Sequence, residues 1–106
     1  MALTRDFRET VRARARREPA FRRALLREAA ESMVAGDMDT WKLLLRNYIN
    51  ATSGFGKFGK AAQKSSKSLM RMLSPSGNPQ ARNLFEIVEY LQRKERVRFK
   101  VAAAAR

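Results

Sequence analysis

The chain has 106 residues, 44% of them hydrophobic, and a formal net charge of +13 with neither cysteine nor histidine. Such a length gives one small domain with a modest core, in the range where oligomerisation often supplements stability, and such a charge calls for a polyanionic partner. The composition excludes disulfide scaffolds, Cys/His metal centres, His general bases and Cys nucleophiles, and the longest apolar run, residues 101–105, falls far short of the roughly 18 residues that span a bilayer.

Leu3, Phe7 and Val11 repeat every four residues and Thr4 offers an N-cap, so a first helix is expected over residues 5–17, with arginine on its other faces. Asp6, Glu9 and Glu18 break the acid-poor pattern of an organellar presequence, so this opening reads as a folded helix. Glu18-Pro19 ends it. Pro19 suits the first turn of a second helix, whose stripe of Phe21, Leu25, Leu26, Ala29, Ala30 and Met33 ends at Gly36. Asp37 or Asp39 can cap a third helix, in which Trp41, Leu44, Leu45, Tyr48 and Ile49 recur at helical spacing before Ser53-Gly54 ends it.

A fourth helix is expected over residues 55–62 and a fifth over residues 66–73, with Lys64-Ser65 between them. Ser74-Pro75-Ser76-Gly77-Asn78-Pro79 must form a loop, since two prolines and a glycine do not continue a helix. A sixth helix over residues 80–94 carries Leu84, Phe85, Ile87, Val88 and Leu91. From Arg96 to Val101 cations and apolar residues alternate, the period of a half-buried strand that needs a partner edge, expected from a second subunit. The reading is therefore a single all-α domain over residues 1–106 with a short C-terminal strand. Its parts are N-terminal helices (1–53), a two-helix unit with its loop (54–79), and a C-terminal helix and strand (80–101).

Residues 54–79 hold five cations (Lys57, Lys60, Lys64, Lys67, Arg71) and no carboxylate, five of the thirteen net positive charges. Ordinary soluble surfaces interleave the two signs, as Glu86, Glu89, Arg93, Lys94 and Glu95 do later in the chain. Clustered cations without acids suit phosphate, because each neutralised phosphate releases condensed counterion. In a helix-turn-helix the first helix needs apolar residues one turn apart and a small residue at the crossing; Phe58, Ala62 and Gly59 meet that need. Leu69, Met72 and Leu73 then form the buried side of the second helix, while Lys67, Met70, Arg71 and Ser74 stay outside. Ser65 or Ser66 caps that helix near the phosphates. Arg71 can take guanine O6 and N7 together and is the best candidate base reader, whereas Lys67 can meet base or phosphate. The candidate DNA-binding set is Lys57, Lys60, Lys64, Ser65, Ser66, Lys67, Met70, Arg71, Ser74 and Asn78. Gln63 occupies the turn position where a glycine is usual, at a strain of order 1 kcal/mol.

The run Ser66-Lys67-Ser68-Leu69-Met70-Arg71-Met72-Leu73-Ser74-Pro75-Ser76-Gly77-Asn78-Pro79 resembles the lambda-repressor-like antitoxins of the HigA-like addiction-module family, and the opening Ala2-Leu3-Thr4-Arg5-Asp6-Phe7 looks like that family's start. The similarity covers about residues 2 to 101, and members often have glycine where Gln63 stands. The resemblance implies a lambda-repressor-like helix-turn-helix protein, a cytoplasmic, nucleoid-associated homodimer on a two-fold operator. It further implies an antitoxin that represses its own operon and neutralises a RelE/HigB-type ribosome-dependent nuclease.

Two motifs are decoys. Gly54-Phe55-Gly56-Lys57-Phe58-Gly59 satisfies G-x-G-x-x-G, yet a helix precedes it and no acid follows where a ribose would be held. Asn50-Ala51-Thr52 is a glycosylation sequon with no secretion signal to make use of it.

A basic toxin would be repelled by this protein unless it met a local exception. From Glu28 to Trp41 there is no cation, while Glu28, Glu31, Asp37 and Asp39 supply four negative charges around Gly36. That acidic corner is the candidate toxin surface, although helix capping alone accounts for an Asp at 37 or 39. A stand-alone phage-type repressor is the alternative within the class. A small basic RNA-binding structural protein is the alternative outside it, disfavoured because Trp41, Tyr48, Phe58 and Phe85 are expected on core stripes rather than exposed for base stacking. No enzyme activity, cofactor, membrane partner or small-molecule substrate is expected.

Overall fold

Six helices follow one another in the computed structural model, which describes residues 5–105: α1 (Arg5–Arg17), α2 (Pro19–Val34), α3 (Met38–Ala51), α4 (Gly54–Ala61), α5 (Ser66–Met72) and α6 (Ala81–Glu95). The cap expected at Thr4 and the apolar Leu3 lie outside the described residues. Each boundary has a local cause. Glu18 is extended (φ −115°, ψ 101°), as a residue before proline must be, and Pro19 opens α2. Gly36 (φ +83°) and Gly54 (φ +78°) take the left-handed conformation that ends α2 and α3. Asp37 caps α3, accepting from the Thr40 N–H at 3.1 Å, and that bond holds its carboxyl below the usual carboxylate range. Asp39 is not the cap.

α2 and α3 pack against each other as the central pair, with α1 laid on both, α4 on α3, α5 on α4 and α6 on α2. Their shared core is Leu26, Ala29, Trp41, Leu45, Tyr48, Ile49, Phe58, Leu69, Leu73, Leu84, Ile87 and Leu91. Among the described residues, two expected core residues are exposed. Phe85 is 64% exposed, because Leu84, Ile87 and Leu91 set the buried stripe of α6 and Phe85 sits roughly 100° around the helix from Leu84. Phe7 is 53% exposed, and α1 buries Ala15 instead.

The described residues contain no strand. Over residues 97–105 the backbone is irregular, and the start of this tail folds back on α6: the Val97 N–H donates to the Gln92 carbonyl at 3.0 Å, and the Phe99 N–H to Gln92 Oε1 at 2.9 Å. The alternation from Arg96 to Val101 therefore places Val97 and Phe99 half-buried on the domain itself, where α6 satisfies donors that a strand would have offered to a partner edge. Among the described residues, no helix is long and apolar enough to cross a membrane.

Candidate nucleic-acid interface

α4 and α5 cross at Gly59, and the contact is backbone against backbone. Phe58 and Gly59 face inward from α4; a Cβ on Gly59 would lie 2.5 Å from the Lys64 carbonyl oxygen and 3.2 Å from the Ser66 nitrogen. Only glycine fits at that crossing. The Lys64 N–H donates to the Gly59 carbonyl at 2.8 Å and closes the turn, which Gln63 completes at φ +59°. Gln63 thus stands in the left-handed conformation where a glycine is unstrained. Gln63→Gly is expected to stabilise the domain by about 1 kcal/mol, read as a higher midpoint in urea; an unchanged or lower midpoint would mean that the turn carries no strain there.

Ser65, not Ser66, caps α5: its backbone is extended and its Oγ accepts from the Ser68 N–H at 3.0 Å. Leu69 and Leu73 are fully buried beneath α5, while Lys67, Ser68, Met70 and Arg71 are exposed. The outer face thus carries two cations, a flexible thioether and no carboxylate. Lys57 and Lys60 are exposed on α4, and Asn78 on the following loop.

Two further residues of the candidate set also bond within the domain. Lys64 donates to Glu86 Oε1 at 2.9 Å and to Asn83 Oδ1 at 3.3 Å, with its side chain 12% exposed, so its charge ties the turn to α6 rather than facing solvent. Ser74 is half-buried and donates from its Oγ to the Arg71 carbonyl at 2.8 Å, closing the C-terminal end of α5.

Sequence reasoning missed the residues that hold α5 in place. Lys42 is almost wholly buried and donates to the carbonyls of Pro75 (3.2 Å) and Gly77 (2.9 Å). Arg46, one turn on along α3, donates to the Leu73 carbonyl at 2.7 Å. A Cβ on Gly77 would run into the Arg71 and Met72 carbonyls, so the loop lies directly against the end of α5. The signal was two cations four residues apart beside the apolar stripe of α3, a spacing that puts both on one face.

A second polar knot joins α2, α3 and α6. Arg22 Nε lies 3.0 Å from both carboxylate oxygens of buried Glu95, and the Tyr48 hydroxyl donates to Glu95 Oε2. Arg22 also donates to the Ala15 carbonyl of α1, and Arg23 Nε to the Glu95 carbonyl at 3.3 Å. Burial, then the neighbouring Glu95 carboxylate, push the Tyr48 hydroxyl pKa far up, so it stays a donor. Glu95 is therefore not one of the solvated charges of α6.

At the acidic corner Glu28, Glu31 and Asp37 line one open depression of about 320 Å³ together with Thr40 and Leu44. Asp39 stands apart: its side chain is 92% exposed, with the carboxylate 3.9 Å from Lys42 Nζ. Glu31 has Arg27 at 3.9 Å on its own helix, an exposed pair of little consequence. No three carboxylates converge to hold a metal among the described residues.

Comparison of the chain with protein-family models, curated proteins and solved structures gives no match.

Proposed function

We propose that this protein binds DNA sequence-specifically through a helix-turn-helix formed by α4 and α5, and acts as a homodimeric antitoxin that represses its own operon. One observation carries the DNA reading. The Gly59 crossing fixes α5 against α4 with Leu69 and Leu73 inward, leaving an acid-free face of Lys67, Met70 and Arg71 to enter a major groove. Lys57 and Lys60 would meet phosphates, which position the domain without reading sequence. Selection from a random duplex pool tests the reading: it requires a two-fold site, each half read by one α5, to be enriched. Enrichment of no sequence would reduce the cationic face to non-specific binding.

Exposed Phe85 gives a specific reason to retain the RNA-binding reading, since a solvent-facing ring next to Arg82 can stack on an unpaired base. Single-stranded RNA that competes with the selected duplex mole for mole would favour that reading.

The antitoxin role rests on the resemblance of residues 66–79, and the acidic depression at the α2–α3 junction gives a basic RelE/HigB-type toxin a complementary surface. Glu28→Lys with Glu31→Lys is expected to slow toxin association strongly at low salt, with dissociation and DNA binding little changed, as measured by stopped-flow mixing. Neither residue caps a helix, so thermal stability should hold. Association at the wild-type rate would move the toxin contact elsewhere.

A further inference from the structure

A second open cleft, of about 380 Å³, lies where α1 ends, α4 begins and α6 ends. Its lining includes the four cations Arg16, Arg22, Lys57 and Lys94 against the one carboxylate of Glu95, a surplus of three positive charges. That carboxylate is already satisfied: Arg22 faces both of its oxygens and the Tyr48 hydroxyl donates to one. Arg16, Lys57 and Lys94 are left with no carboxylate within ion-pair distance among the described residues.

Lys94 is the informative member. Although the residue is exposed, its Nζ sits 5.1 Å from the centroid of the Tyr48 ring and 5.9 Å from that of Phe58, which holds the ammonium at the cleft. Burial first, and the Arg22 charge in addition, pull its pKa below the ordinary lysine value, while Glu95 pulls the other way. Lys94 is exposed at the rim of the cleft, so an anion can reach it, and an anion there would offset the burial and the Arg22 charge that disfavour its ammonium. The hydroxyls of Thr52 and Ser53 are turned to backbone carbonyls, of Tyr48 and Gly54 respectively, so charge rather than neutral hydrogen bonding governs what the cleft takes.

We infer that this cleft is a phosphate-binding site, in which Arg16, Lys57 and Lys94 surround a phosphate monoester or phosphodiester. The inference shares Lys57 with the phosphate contacts of the DNA reading, but none of the three residues belongs to the recognition face of α5. Positive charge at all three positions favours a group with more than one anionic oxygen, and the open cleft lets that group arrive attached to a larger molecule. The Ser53 hydroxyl does not cap α4, so the first-turn amides of that helix add to the attraction without carrying it.

The test is an amide NMR titration of the intact protein with inorganic phosphate against chloride at matched ionic strength, repeated with a random-sequence duplex. Wild-type protein is expected to show shifts at residues 52–57 and 94 that saturate with phosphate, and a Lys94 side chain whose titration moves to higher pH as phosphate binds. In Arg16→Gln with Lys94→Gln, phosphate affinity should fall at least about tenfold, and the salt slope on the duplex by about two. Saturation by inorganic phosphate assigns a free anion as ligand; response to the duplex alone, with the reduced slope, assigns the DNA backbone. Non-saturating shifts in both arms, or a double variant that titrates like wild type, would overturn the site. Arg16→Gln alone, an exposed change, separates loss of the site from loss of the fold. Arg71→Ala should leave the phosphate titration untouched, so failure of the DNA reading and failure of this site give different results.

Discussion

Gly59→Ala is expected to destabilise the domain by about 3 kcal/mol, whereas Gly56→Ala, three residues earlier on the same helix, should stabilise it by about 0.5–1 kcal/mol. The contrast isolates the crossing of α4 and α5. At position 59 the added carbon would sit 2.5 Å from the Lys64 carbonyl oxygen and 3.2 Å from the Ser66 nitrogen, both backbone atoms at the mouth of α5. Neither can swing aside as a side chain would, because the Lys64 N–H is bonded to the Gly59 carbonyl and Ser65 is fixed as the cap. The helices must separate, and Leu69 and Phe58 with them. At position 56 the carbon would meet nothing within 4 Å, so the change only reduces backbone freedom in the unfolded chain. Urea midpoints of the two variants measure the difference. Equal midpoints would mean that α4 and α5 do not touch in this way.

Arg22→Met should destabilise the domain by about 3 kcal/mol, the lower end of what breaking a buried ion pair brings, because Arg22 keeps 21% side-chain exposure and some water can reach the gap. The loss comes from the partner left behind. Glu95, 4% exposed at its side chain, would keep the Tyr48 hydroxyl as its hydrogen bond but lose the guanidinium that faces both of its oxygens. Adding Glu95→Gln removes the charge and should recover part of the stability, so the two changes must be less than additive. Additive losses in a double-mutant cycle would show that the pair contributes nothing beyond its separate contacts.

How far the fold could be read from sequence depended on whether backbone rules or three-dimensional proximity decided each element. Pro19, Gly36, Gly54 and the loop from Ser74 to Pro79 impose their conformations locally, so the six helices fell within a residue or two of the expected bounds. Gly59 and Gln63 were legible for the same reason, since a crossing and a left-handed turn each demand a particular backbone. Burial at the margins was not. Phe7 and Phe85 are exposed against expectation because a stripe's edge depends on which neighbouring helix arrives, and periodicity does not name that neighbour. Polar partners separated in sequence were invisible too: Arg22 with Glu95, Lys64 with Glu86, and Lys42 with the loop after α5 are all long-range pairs. In sequence Lys64 is one of five similar cations, and only the packing of α6 gives it an acid. The strand failed differently. Alternation in residues 96–101 was real, but it described a segment leaning on α6, whose Gln92 satisfies two of its donors.

Arg71 gives the most direct measurement of the central claim, since it is exposed on the outer face of α5 with no carboxylate near enough to pair among the described residues. Binding of wild type and Arg71→Ala should be compared on the duplex enriched by selection and on a scrambled duplex at one salt concentration. A loss of about 1–3 kcal/mol is expected on the selected duplex with scrambled binding nearly unchanged, the pattern of a lost base contact. Equal losses on both duplexes would make Arg71 a phosphate contact and contradict a sequence-reading α5.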